Sequence, residues 1–318
     1  MTEQNDPAGC SPAPPRCPIT GRPALRRIQA ISSSLLIPLW SISFGVDVRC
    51  ALAEVRRFEL WESPCGLVFF EPMLAGDEIF YLDLHRRGDF HWILSASWQV
   101  RVEFQRIAEL VRPGDKVLDV GCGGGALAPY LPKAIYVGLD PNPHATATQS
   151  DIRCETIASH AASYPEEYDI VCAFHVIEHV ADPLGFARYL VTCLKPGGRL
   201  CIVVPHRASA LSEIPNFVLN APPNHLTWWN ENALQTLSQR LALIDESLEA
   251  VPFSFDSLIY WMGWFAPKLT SERYFRAHWS WHAALVWSWL AGRTCDALFR
   301  VPTSAKPSGL LLAARKPS

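Results

Sequence analysis

The sequence has few charged residues and lacks a dense run of basic ones. Of its 318 residues, 19% are charged, and 28 Lys and Arg against 31 Asp and Glu give a net charge of −3. Nothing in this balance indicates a polyanionic partner, so we expect no nucleic-acid binding. The low charge goes with 49% hydrophobic residues, which excludes a disordered chain and predicts a well-filled core.

The amino-terminal segment lacks the early apolar run of a cleavable signal peptide, because residues 1–27 are polar and rich in proline. Residues 28–46 carry no charge, and this length raises the question of a membrane span. Gln29, the serines and Pro38 argue against one. We expect a partly buried helix and loop there instead.

The ten cysteines lack the spacing of a disulfide framework. Half of them lie between residues 122 and 201, in segments that look like buried strands and helices, where a free thiol behaves as a small hydrophobic group. This use of cysteine fits a reducing compartment. We therefore expect a cytoplasmic protein, with peripheral contact at the inner face of the membrane as a further alternative.

Short apolar runs alternate with helical stretches from residue 116 onwards. They lie at 116–120, 134–139, 151–155, 168–174 and 199–205, and two closing runs follow at 241–248 and 310–314. Strands separated by helices form parallel crossovers. The pattern therefore predicts an α/β fold with a doubly wound sheet.

The chain divides into five expected segments. These are a flexible amino terminus (1–24), a small N-terminal subdomain (25–91), the sheet-and-helix core (92–251), a Trp-rich helical insert (252–305) and the last strand of the core (306–318). Within the subdomain, residues 58–70 predict a hairpin that turns at Ser63-Pro-Cys-Gly66. At the start of the core, the spacing of Trp98, Val102 and Ile107 contributes to a helical pattern over 92–111.

The motif Val117-Leu-Asp-Val-Gly-Cys-Gly-Gly-Gly125 carries the strongest chemical signal. An apolar strand runs into glycines here, and we expect a helix from about Ala126. Glycines let the backbone approach a ligand closely. Ligands of doubly wound sheets bind beyond the carboxyl ends of the strands, where a helix N-terminus offers free N–H groups.

The same stretch is also a variant of the dinucleotide fingerprint, Gly121-x-Gly-x-x-Ala126. Nicotinamide sites and other sites that bind a ribose at this position both need an acidic residue at the end of the second strand to bind the ribose hydroxyls. Asp140 lies there. The alternative role of Asp140 is that of a turn residue before Pro141.

Two later segments distinguish these sites. Residues 174–183 read Phe-His-Val-Ile-Glu-His-Val-Ala-Asp-Pro, and residues 194–200 read Leu-Lys-Pro-Gly-Gly-Arg-Leu. Together with the glycine motif and Gly138-Leu-Asp140, they resemble the class I methyltransferases that use S-adenosylmethionine (SAM), in order and in spacing. The resemblance is to the branch that includes the ubiquinone-biosynthesis O-methyltransferases, and it covers about residues 92–248 and the last strand.

This resemblance implies a fold, a cofactor and a set of binding residues. The fold is a Rossmann-like, seven-stranded sheet with an antiparallel last strand, and the cofactor is SAM. The family often has a polar side chain near adenine after the third strand, but here that segment reads Glu155-Thr-Ile-Ala-Ser159, so backbone groups would take this role. The implied cofactor residues are Asp119, Gly121, Cys122, Gly123 and Gly125 for the methionine part, Asp140 and Pro141 for the ribose, Ile157 and Ala158 for adenine, and Phe174 and His175 beside the methyl group.

Methyl transfer from a sulfonium chiefly requires that the acceptor be aligned with the methyl group. A general base helps where the acceptor is a hydroxyl, and the candidates are His175, His206 and His225. His175 has the alternative role of a packed or capping histidine, whereas Glu178 and His179 are expected to brace the site. Because no Pro-Pro-Tyr motif follows the fourth strand, an oxygen or carbon acceptor is expected rather than an amine.

The N-terminal region resembles the zinc-ribbon-like module that begins some SAM methyltransferases, with one cysteine of each pair missing. Its two halves read Cys17-Pro-Ile-Thr-Gly21 and Glu62-Ser-Pro-Cys65-Gly-Leu-Val-Phe69. Tetrahedral zinc needs four ligands, so Cys17 and Cys65 cannot close a site. We expect a relic of the module and a chain without bound metal.

Two segments are expected on the acceptor side. The loop Pro222-Pro-Asn-His-Leu-Thr-Trp-Trp229 lines the acceptor pocket or leads into a helix capped by Asn230 or Thr227. The insert 252–305 holds six tryptophans interleaved with basic residues. It forms either a lid or membrane-interface segment over the acceptor half of the pocket, or helices packed on the sheet or in a homodimer contact.

Three functions from different classes follow. The first is SAM-dependent methyl transfer to an oxygen or carbon of a small-molecule, glycan or lipid-linked acceptor. The second is NAD-dependent oxidoreduction, and the third is a catalytically inactive SAM-fold interaction module. The intact Asp119, Gly121, Gly123 and Asp140 favour the first.

Overall fold

The computed structural model describes residues 13–86, 102–142, 151–253, 257–267, 272–302 and 304–318. The strands are β1 (Arg26–Ser32), β2 (Arg57–Glu62), β3 (Val68–Glu71), β4 (Lys116–Val120), β5 (Ile135–Leu139), β6 (Ile152–Arg153), β7 (Tyr168–Phe174), β8 (Leu194–Pro205), β9 (Thr227–Trp228), β10 (Ile244–Val251) and β11 (Gly309–Arg315). The helices are Ser33–Phe44, Glu78–Arg86, Val102–Leu110, Ile157–Ser163, Pro183–Cys193, Ala210–Glu213, Glu231–Arg240, Ser257–Phe265 and Trp279–Leu298. Short 3₁₀ turns lie at Ala128–Tyr130, Ile177–His179 and Val218–Asn220.

Seven strands form one mixed sheet in the order β10-β11-β8-β7-β4-β5-β6. The strands from β4 to β8 are parallel, and β11 runs antiparallel between β8 and β10. This confirms the predicted Rossmann-like fold, and β4 and β7 have the predicted bounds. The dinucleotide-binding order places a sixth parallel strand beside the fifth. Because antiparallel β11 lies there, the sheet differs from the nicotinamide-binding arrangement.

The central strands are buried on both faces, as parallel sheets require. In β7, Val171 and Ala173 pack into one core, whereas Ile170, Cys172 and Phe174 pack into the core on the opposite face. Successive side chains of a strand point to opposite faces, so a continuous apolar run fills both cores at once. This explains why the sequence shows uninterrupted apolar runs here rather than alternation.

The N-terminal subdomain has a separate antiparallel sheet in the order β1-β2-β3-β9. The expected hairpin is present: β2 pairs with β3, and the N–H of Ser63 donates to the carbonyl oxygen of Leu67 at 2.8 Å. Strand β9 comes from the segment that follows β8, so the core completes this sheet. Residues 28–46 form β1 and the helix Ser33–Phe44. Among the described residues, no helix combines the length and the apolar character that a membrane crossing requires.

The insert packs against the N-terminal subdomain. Leu258, Ile259 and Met262 of the helix Ser257–Phe265 share one hydrophobic cluster with Trp40 and Phe70. Gly292 of the second helix allows close approach, because a Cβ there would lie 3.1 Å from Leu258 Cδ1 and 3.2 Å from the backbone nitrogen of Met262. The two helices therefore form a hairpin that is anchored along one side.

Two expectations are wrong, and one lies partly outside the described residues. Residues 13–24 are not flexible, because Cys17 and Ile19 are buried in the main core and Arg16 bridges to Pro23. No regular helix begins near Ala126: the described chain makes turns and the 3₁₀ turn Ala128–Tyr130. Pro129 and Pro132 explain this, since proline lacks the N–H that a continuing helix needs. Trp98 lies outside the described residues, and the helix there is seen from Val102.

Candidate active site

The carboxyl ends of β4, β5 and β7 lie side by side at one edge of the large sheet. Val120, the last residue of β4, pairs with Leu139 of β5 on one side and with Ala173 of β7 on the other. Parallel strands end at the same edge, so the loops that follow them meet there. The glycine loop, Asp140 and His175 are thereby brought together.

The glycine loop uses its glycines in two ways. Gly121, Gly123 and Gly125 all have positive φ, of 72°, 52° and 76°. A Cβ on Gly121 would lie 2.4 Å from Val176 Cγ2, whereas a Cβ on Gly123 would meet no atom within 4 Å. Gly121 is thus required for packing of the protein itself, and Gly123 leaves open space where a ligand can approach the backbone.

Asp140 contacts the glycine loop directly. The N–H of Gly123 donates to Asp140 Oδ2 at 2.9 Å, and the N–H of Asn142 donates to Asp140 Oδ1 at 2.8 Å. The second bond is the local turn contact that the alternative interpretation expects. The first bond joins two residues of the implied cofactor set, at the ends of neighbouring strands.

Asp119 is buried at the end of β4 and is held by a partner that the sequence did not reveal. The hydroxyl of Tyr136, on β5, donates to Asp119 Oδ2 at 2.8 Å. Burial and the Asp119 charge both raise the pKa of Tyr136, so this hydroxyl stays protonated and donating. Burial likewise raises the pKa of the Cys122 thiol to about 12. The loop therefore presents Cys122 as a neutral group.

The segment that the resemblance implies for adenine follows β6, the strand next to β5. Asp140 donates its N–H to the carbonyl oxygen of Arg153 in β6 at 3.1 Å, which places the end of β6 next to the ribose residue. Thr156 caps the following helix by accepting from the N–H of Ser159 at 3.3 Å. Ile157 is buried and Ala158 is exposed in the first turn. Pro141 is exposed beside Asp140.

Phe174 and His175 close the site at the end of β7. The buried Phe174 ring packs edge-on against Phe104 at 5.1 Å between centroids. His175 has a φ of 55°, and its N–H donates to Val203 of β8 at 2.9 Å. This strained backbone leaves the imidazole about one-third exposed, with Nδ1 3.6 Å from Glu178 Oε1.

A second cluster lies one turn beyond His175. Ligand atoms of Glu178, His179 and His225 lie within 4.8 Å of one another, and such a set could hold a metal ion. Both carboxylate oxygens of Glu178 are buried and have no hydrogen-bond partner in the described part of the chain. Burial lowers the pKa of His225 to about 3 and also lowers that of His179, so both imidazoles are neutral.

The three candidate bases lie at two separate places. His175 and His225 lie around Glu178, whose pKa they lower against the opposing effect of burial. His206 lies elsewhere, with Nε2 3.5 Å from Glu231 Oε1, in a cavity of about 680 Å³ also lined by Arg207 and Tyr274. The sequence analysis named His225 as a candidate base and expected the 222–229 loop beside the acceptor pocket, but the sequence contained no signal that His225 would lie next to Glu178.

The 222–229 loop is held by hydrogen bonds in its middle and at its carboxyl end. The N–H of Leu226 donates to the carbonyl oxygen of Glu178 at 2.8 Å. Asn230, and not Thr227, caps the next helix by accepting from the N–H of Ala233 at 2.9 Å. Thr227 instead accepts from the indole N–H of the buried Trp229 at 2.9 Å. The loop is thus both a helix lead-in and a wall beside Glu178.

The remaining cysteines of the ribbon-like module face each other. Cys17 Sγ lies 3.9 Å from Cys65 Sγ, and both side chains are buried. Thr20 and Ser63 occupy the neighbouring positions: the N–H of Thr20 donates to Cys17 Sγ at 3.5 Å, and Ser63 Oγ lies 3.3 Å from Cys65 Sγ. A hydrogen bond with Cys65 lowers the pKa of Cys17.

The insert exposes large aromatic side chains. Trp264, Trp279 and Trp287 are 62%, 71% and 63% exposed. The first insert helix also approaches the segment that follows β8, since a Cβ on Gly263 would lie 3.5 Å from the carbonyl oxygen of Ala210. One side of the helical hairpin is therefore anchored and the other is apolar and uncovered.

Comparisons with known proteins agree with this geometry. Residues 97–243 match a family model described as a methyltransferase domain. A ubiquinone biosynthesis O-methyltransferase of Proteus mirabilis is 31% identical over 145 residues, which is 37% of this chain and 59% of that protein. One of Xanthomonas campestris pv. campestris is 34% identical over 129 residues, covering 37% and 54%. One of Aliivibrio fischeri is 42% identical over 99 residues, covering 27% and 42%.

Among solved structures, a SAM-dependent methyltransferase from Archaeoglobus fulgidus is similar, with a TM-score of 0.48 and 18% identity. The alignment covers 71% of this chain and 97% of that one. This chain spans between two fifths and three fifths of the length of the curated relatives it matches. The matched family model covers the five parallel strands of the large sheet, whereas β1 to β3, β10, β11 and the insert lie outside it.

Proposed function

We propose that residues 97–243, which match a family model described as a methyltransferase domain, form a class I SAM-dependent methyltransferase domain. From this premise we propose that the protein transfers the methyl group of SAM to an oxygen or carbon atom of a small-molecule acceptor. The observation that carries the proposal is the contact between the glycine loop and Asp140, at the edge where β4 and β5 end.

The residues at this edge fit the cofactor. SAM supplies a methyl group activated on a sulfonium. Gly123 leaves space for close backbone approach, and the carboxylate of Asp140 is an acceptor suited to ribose hydroxyls. Asp119, fixed by Tyr136, borders the same loop. Hydrogen bonds from charged groups and backbone positioning account for binding and orientation, which is most of what methyl transfer from an activated donor requires.

His175 is the general base in this proposal where the acceptor is a hydroxyl. It lies directly after β7, on the acceptor side of the glycine loop, and remains partly exposed. Oε1 of the Glu178 carboxylate lies 3.6 Å from Nδ1 of His175. His225 is buried behind Glu178 and His206 lies in a separate cavity, so neither is as well placed.

The exposed aromatic side of the insert supports an apolar acceptor presented at a membrane surface. Tryptophan side chains favour the interface between lipid and water, and Arg293 and Arg300 on the exposed side would meet anionic headgroups. In this proposal the insert faces the membrane and the acceptor is lipid-linked. A homodimer contact through the same surface is the competing outcome.

Calorimetric titration of the purified chain with SAM, S-adenosylhomocysteine and NAD(H) tests the proposed activity. We expect binding of both SAM and S-adenosylhomocysteine and no binding of NAD(H). Binding of NAD(H) alone would overturn the proposal in favour of an oxidoreductase. Binding of SAM without methyl transfer to any hydroxylated or carbon acceptor in an acceptor screen would favour the inactive interaction module.

A further inference from the structure

A cavity of about 630 Å³ lies at the edge of the small N-terminal sheet, where strand β1 meets the start of the second insert helix. This volume falls within the range of about 300–1,000 Å³ that is usual for ligand sites. Its walls carry the basic side chains Arg27, Arg273, Arg276 and His278, and none of the described residues that line it is acidic. A concave surface lined by charge of one sign attracts ions of the opposite sign.

The carboxylate beside Arg27 does not neutralise the cavity. Glu59, on β2, pairs with Arg27 at 2.8 Å, but the same carboxylate oxygen also pairs with Arg57 at 3.3 Å, so two guanidinium groups share one charge. The helix Trp279–Leu298 adds positive potential, because its N-cap, His278, lines the cavity and its first turn carries no acidic side chain. The cavity therefore keeps an excess of positive charge.

The segment that carries Arg273 and Arg276 is fixed by two amide side chains. Gln29 of β1 bonds to both backbone groups of Phe275: its Nε2 donates to the carbonyl oxygen, and its Oε1 accepts from the N–H at 3.2 Å. Asn216 bonds in the same way to Arg276, donating to its carbonyl oxygen at 3.0 Å and accepting from its N–H at 2.7 Å. These four bonds position the backbone of both arginines before a ligand arrives, which lowers the entropy lost on binding.

The guanidinium group of Arg276 is held as well. Its Nε donates to the carbonyl oxygen of Arg273 at 3.0 Å, and its central carbon lies 4.1 Å from the centre of the Trp281 ring. A cation–π contact uses the face of the guanidinium plane, whereas an anion is bound by the N–H groups at the edge of that plane. The contact with Trp281 is therefore compatible with anion binding, and it fixes the plane of the group.

We propose that this cavity binds the phosphate or diphosphate group of a ligand. Planar guanidinium groups present paired N–H donors that match phosphate oxygens, so arginine is favoured where such groups are bound in a fixed orientation. The basic side chains of the described lining are three arginines and one histidine. Two sources supply this chemistry, a soluble phosphate ester and the headgroup of a lipid.

The cavity is separate from the proposed methyl-transfer site. Strands β2 and β3 lie between β1 and β9, so β1 and β9 are about 14 Å apart at the usual spacing of strands. Strand β9 begins two residues after His225, which lies beside Glu178. The phosphate group is therefore bound away from the reacting atoms, and its binding does not depend on the proposed function.

Titration of the full chain with diphosphate, and with inorganic phosphate as a second probe, tests the site. We expect one diphosphate per chain by calorimetry, a higher unfolding temperature in its presence than in chloride of equal ionic strength, and weaker binding as salt is added. A chain that is folded by circular dichroism and binds neither probe overturns the proposal.

Variants locate the bound anion. Arg273→Gln and Arg276→Gln should each weaken diphosphate binding roughly 10-fold or more, because each removes hydrogen bonds between charged groups. Arg273 is exposed, so its replacement leaves the packing intact. Arg276→Lys keeps the charge but loses the paired donors, and it should also bind more weakly than the parent. Arg188→Gln, exposed on the helix Pro183–Cys193, is the matched control and should bind diphosphate as the parent does. Equal affinity in the parent, Arg273→Gln and Arg276→Gln overturns the assignment.

Vesicles that contain phosphatidic acid distinguish the two sources of the phosphate. If the ligand is a lipid headgroup, the chain binds these vesicles, and both added diphosphate and Arg273→Gln reduce that binding. If the ligand is soluble, the vesicles do not compete with diphosphate for the chain. Either result supports a phosphate site. If diphosphate binds through these arginines but SAM does not bind, the phosphate site stands and the proposed function is wrong. If methyl transfer proceeds and diphosphate does not bind, the function stands and the phosphate site is wrong.

Discussion

The N–H of Gly123 donates a hydrogen bond to Oδ2 of Asp140 at 2.9 Å, linking the loop after β4 to the end of β5. In the chain without ligand, the carboxylate and the loop therefore stabilise each other's position. A ribose that binds Asp140 must share or replace this bond. The affinity for SAM and the shape of the loop are for this reason connected through one side chain.

Replacing Asp140 tests this connection. Asp140→Ala should weaken SAM binding by about 1.5–3 kcal/mol for each hydrogen bond lost from the charged acceptor, which is roughly 10- to 150-fold. Calorimetry measures the affinity, and circular dichroism confirms the fold. Asp140→Asn is the control, since it retains one oxygen acceptor and should lose less. Unchanged affinity in a folded Asp140→Ala chain would remove this residue from the site.

The glycine loop should respond differently at two of its positions. A side chain on Gly123 meets no protein atom within 4 Å, so Gly123→Val should lose SAM binding by blocking the ligand's approach, and its cost in stability should come only from the strain of a β-branched residue at a φ of 52°. Gly121→Ala places a Cβ 2.4 Å from Val176 Cγ2 at a positive φ, so it should lower the unfolding temperature. Thermal unfolding with and without SAM separates the two. If the roles are exchanged, the open side of the loop is wrongly assigned.

Asp169 should carry a pH-dependent part of the stability. Its carboxylate accepts from the N–H of Lys116 at 2.9 Å and from Lys195 Nζ at 2.8 Å, so it joins β4, β7 and β8. Burial opposes the charge, but these donors lower the pKa of Asp169 below its usual value. The stabilisation is then present above about pH 4, the pKa of the unfolded chain, and is lost as the pH falls through the lower folded pKa. Asp169→Asn should unfold at a lower temperature than the parent at pH 7, and the difference should shrink on acidification. A difference that persists in acid would mean that the charge is not responsible.

Much of the large sheet followed from the sequence because its strands are continuous apolar runs buried on both faces. Tyr168–Phe174 and Lys116–Val120 have the predicted bounds for this reason. The helix expected after the glycine loop was wrong because Pro129 and Pro132 outweigh the family pattern. The two prolines were visible in the sequence and argued against the helix that the resemblance implied.

The candidate site followed from the sequence only where its residues belong to one motif or to neighbouring strands. Gly123 and Asp140 follow adjacent parallel strands, so their contact was predictable from the sheet. The approach of His225 to Glu178 depends on the path of a long loop, and the sequence has no periodicity that encodes that path. Tyr136 and Asp119 lie on the neighbouring strands β5 and β4, but their hydrogen bond depends on the register of that pair, which the two apolar runs alone do not give.

Cys17 and Cys65 should not bind zinc. Cys17 and Cys65 lie 3.9 Å apart, but Thr20 and Ser63 stand beside them and supply no thiolate. We expect the double variant Cys17→Ser, Cys65→Ser to contain as much zinc per chain as the parent by elemental analysis, with Cys50→Ser as the exposed control. Loss of the ion in the double variant alone would show that the module still binds zinc.

The last prediction is that the exposed tryptophans of the insert bind a membrane surface. Removing residues 254–304 would delete Leu258, Ile259 and Met262 and expose the apolar side chains of the N-terminal subdomain that pack against them, so the deletion would destabilise the chain. Substitution of the exposed tryptophans avoids this: Trp264→Ser, Trp279→Ser and Trp287→Ser together should leave folding and SAM affinity unchanged. They should remove binding to vesicles that contain anionic lipid, because buried indole area and headgroup attraction act together at such surfaces.

The control is Trp40→Phe, within the buried cluster, which should lower stability and leave vesicle binding intact. If the triple variant binds vesicles as the parent does, the surface does not face a membrane. If instead the parent sediments as a dimer and the triple variant as a monomer, the surface is a contact between two copies of the chain.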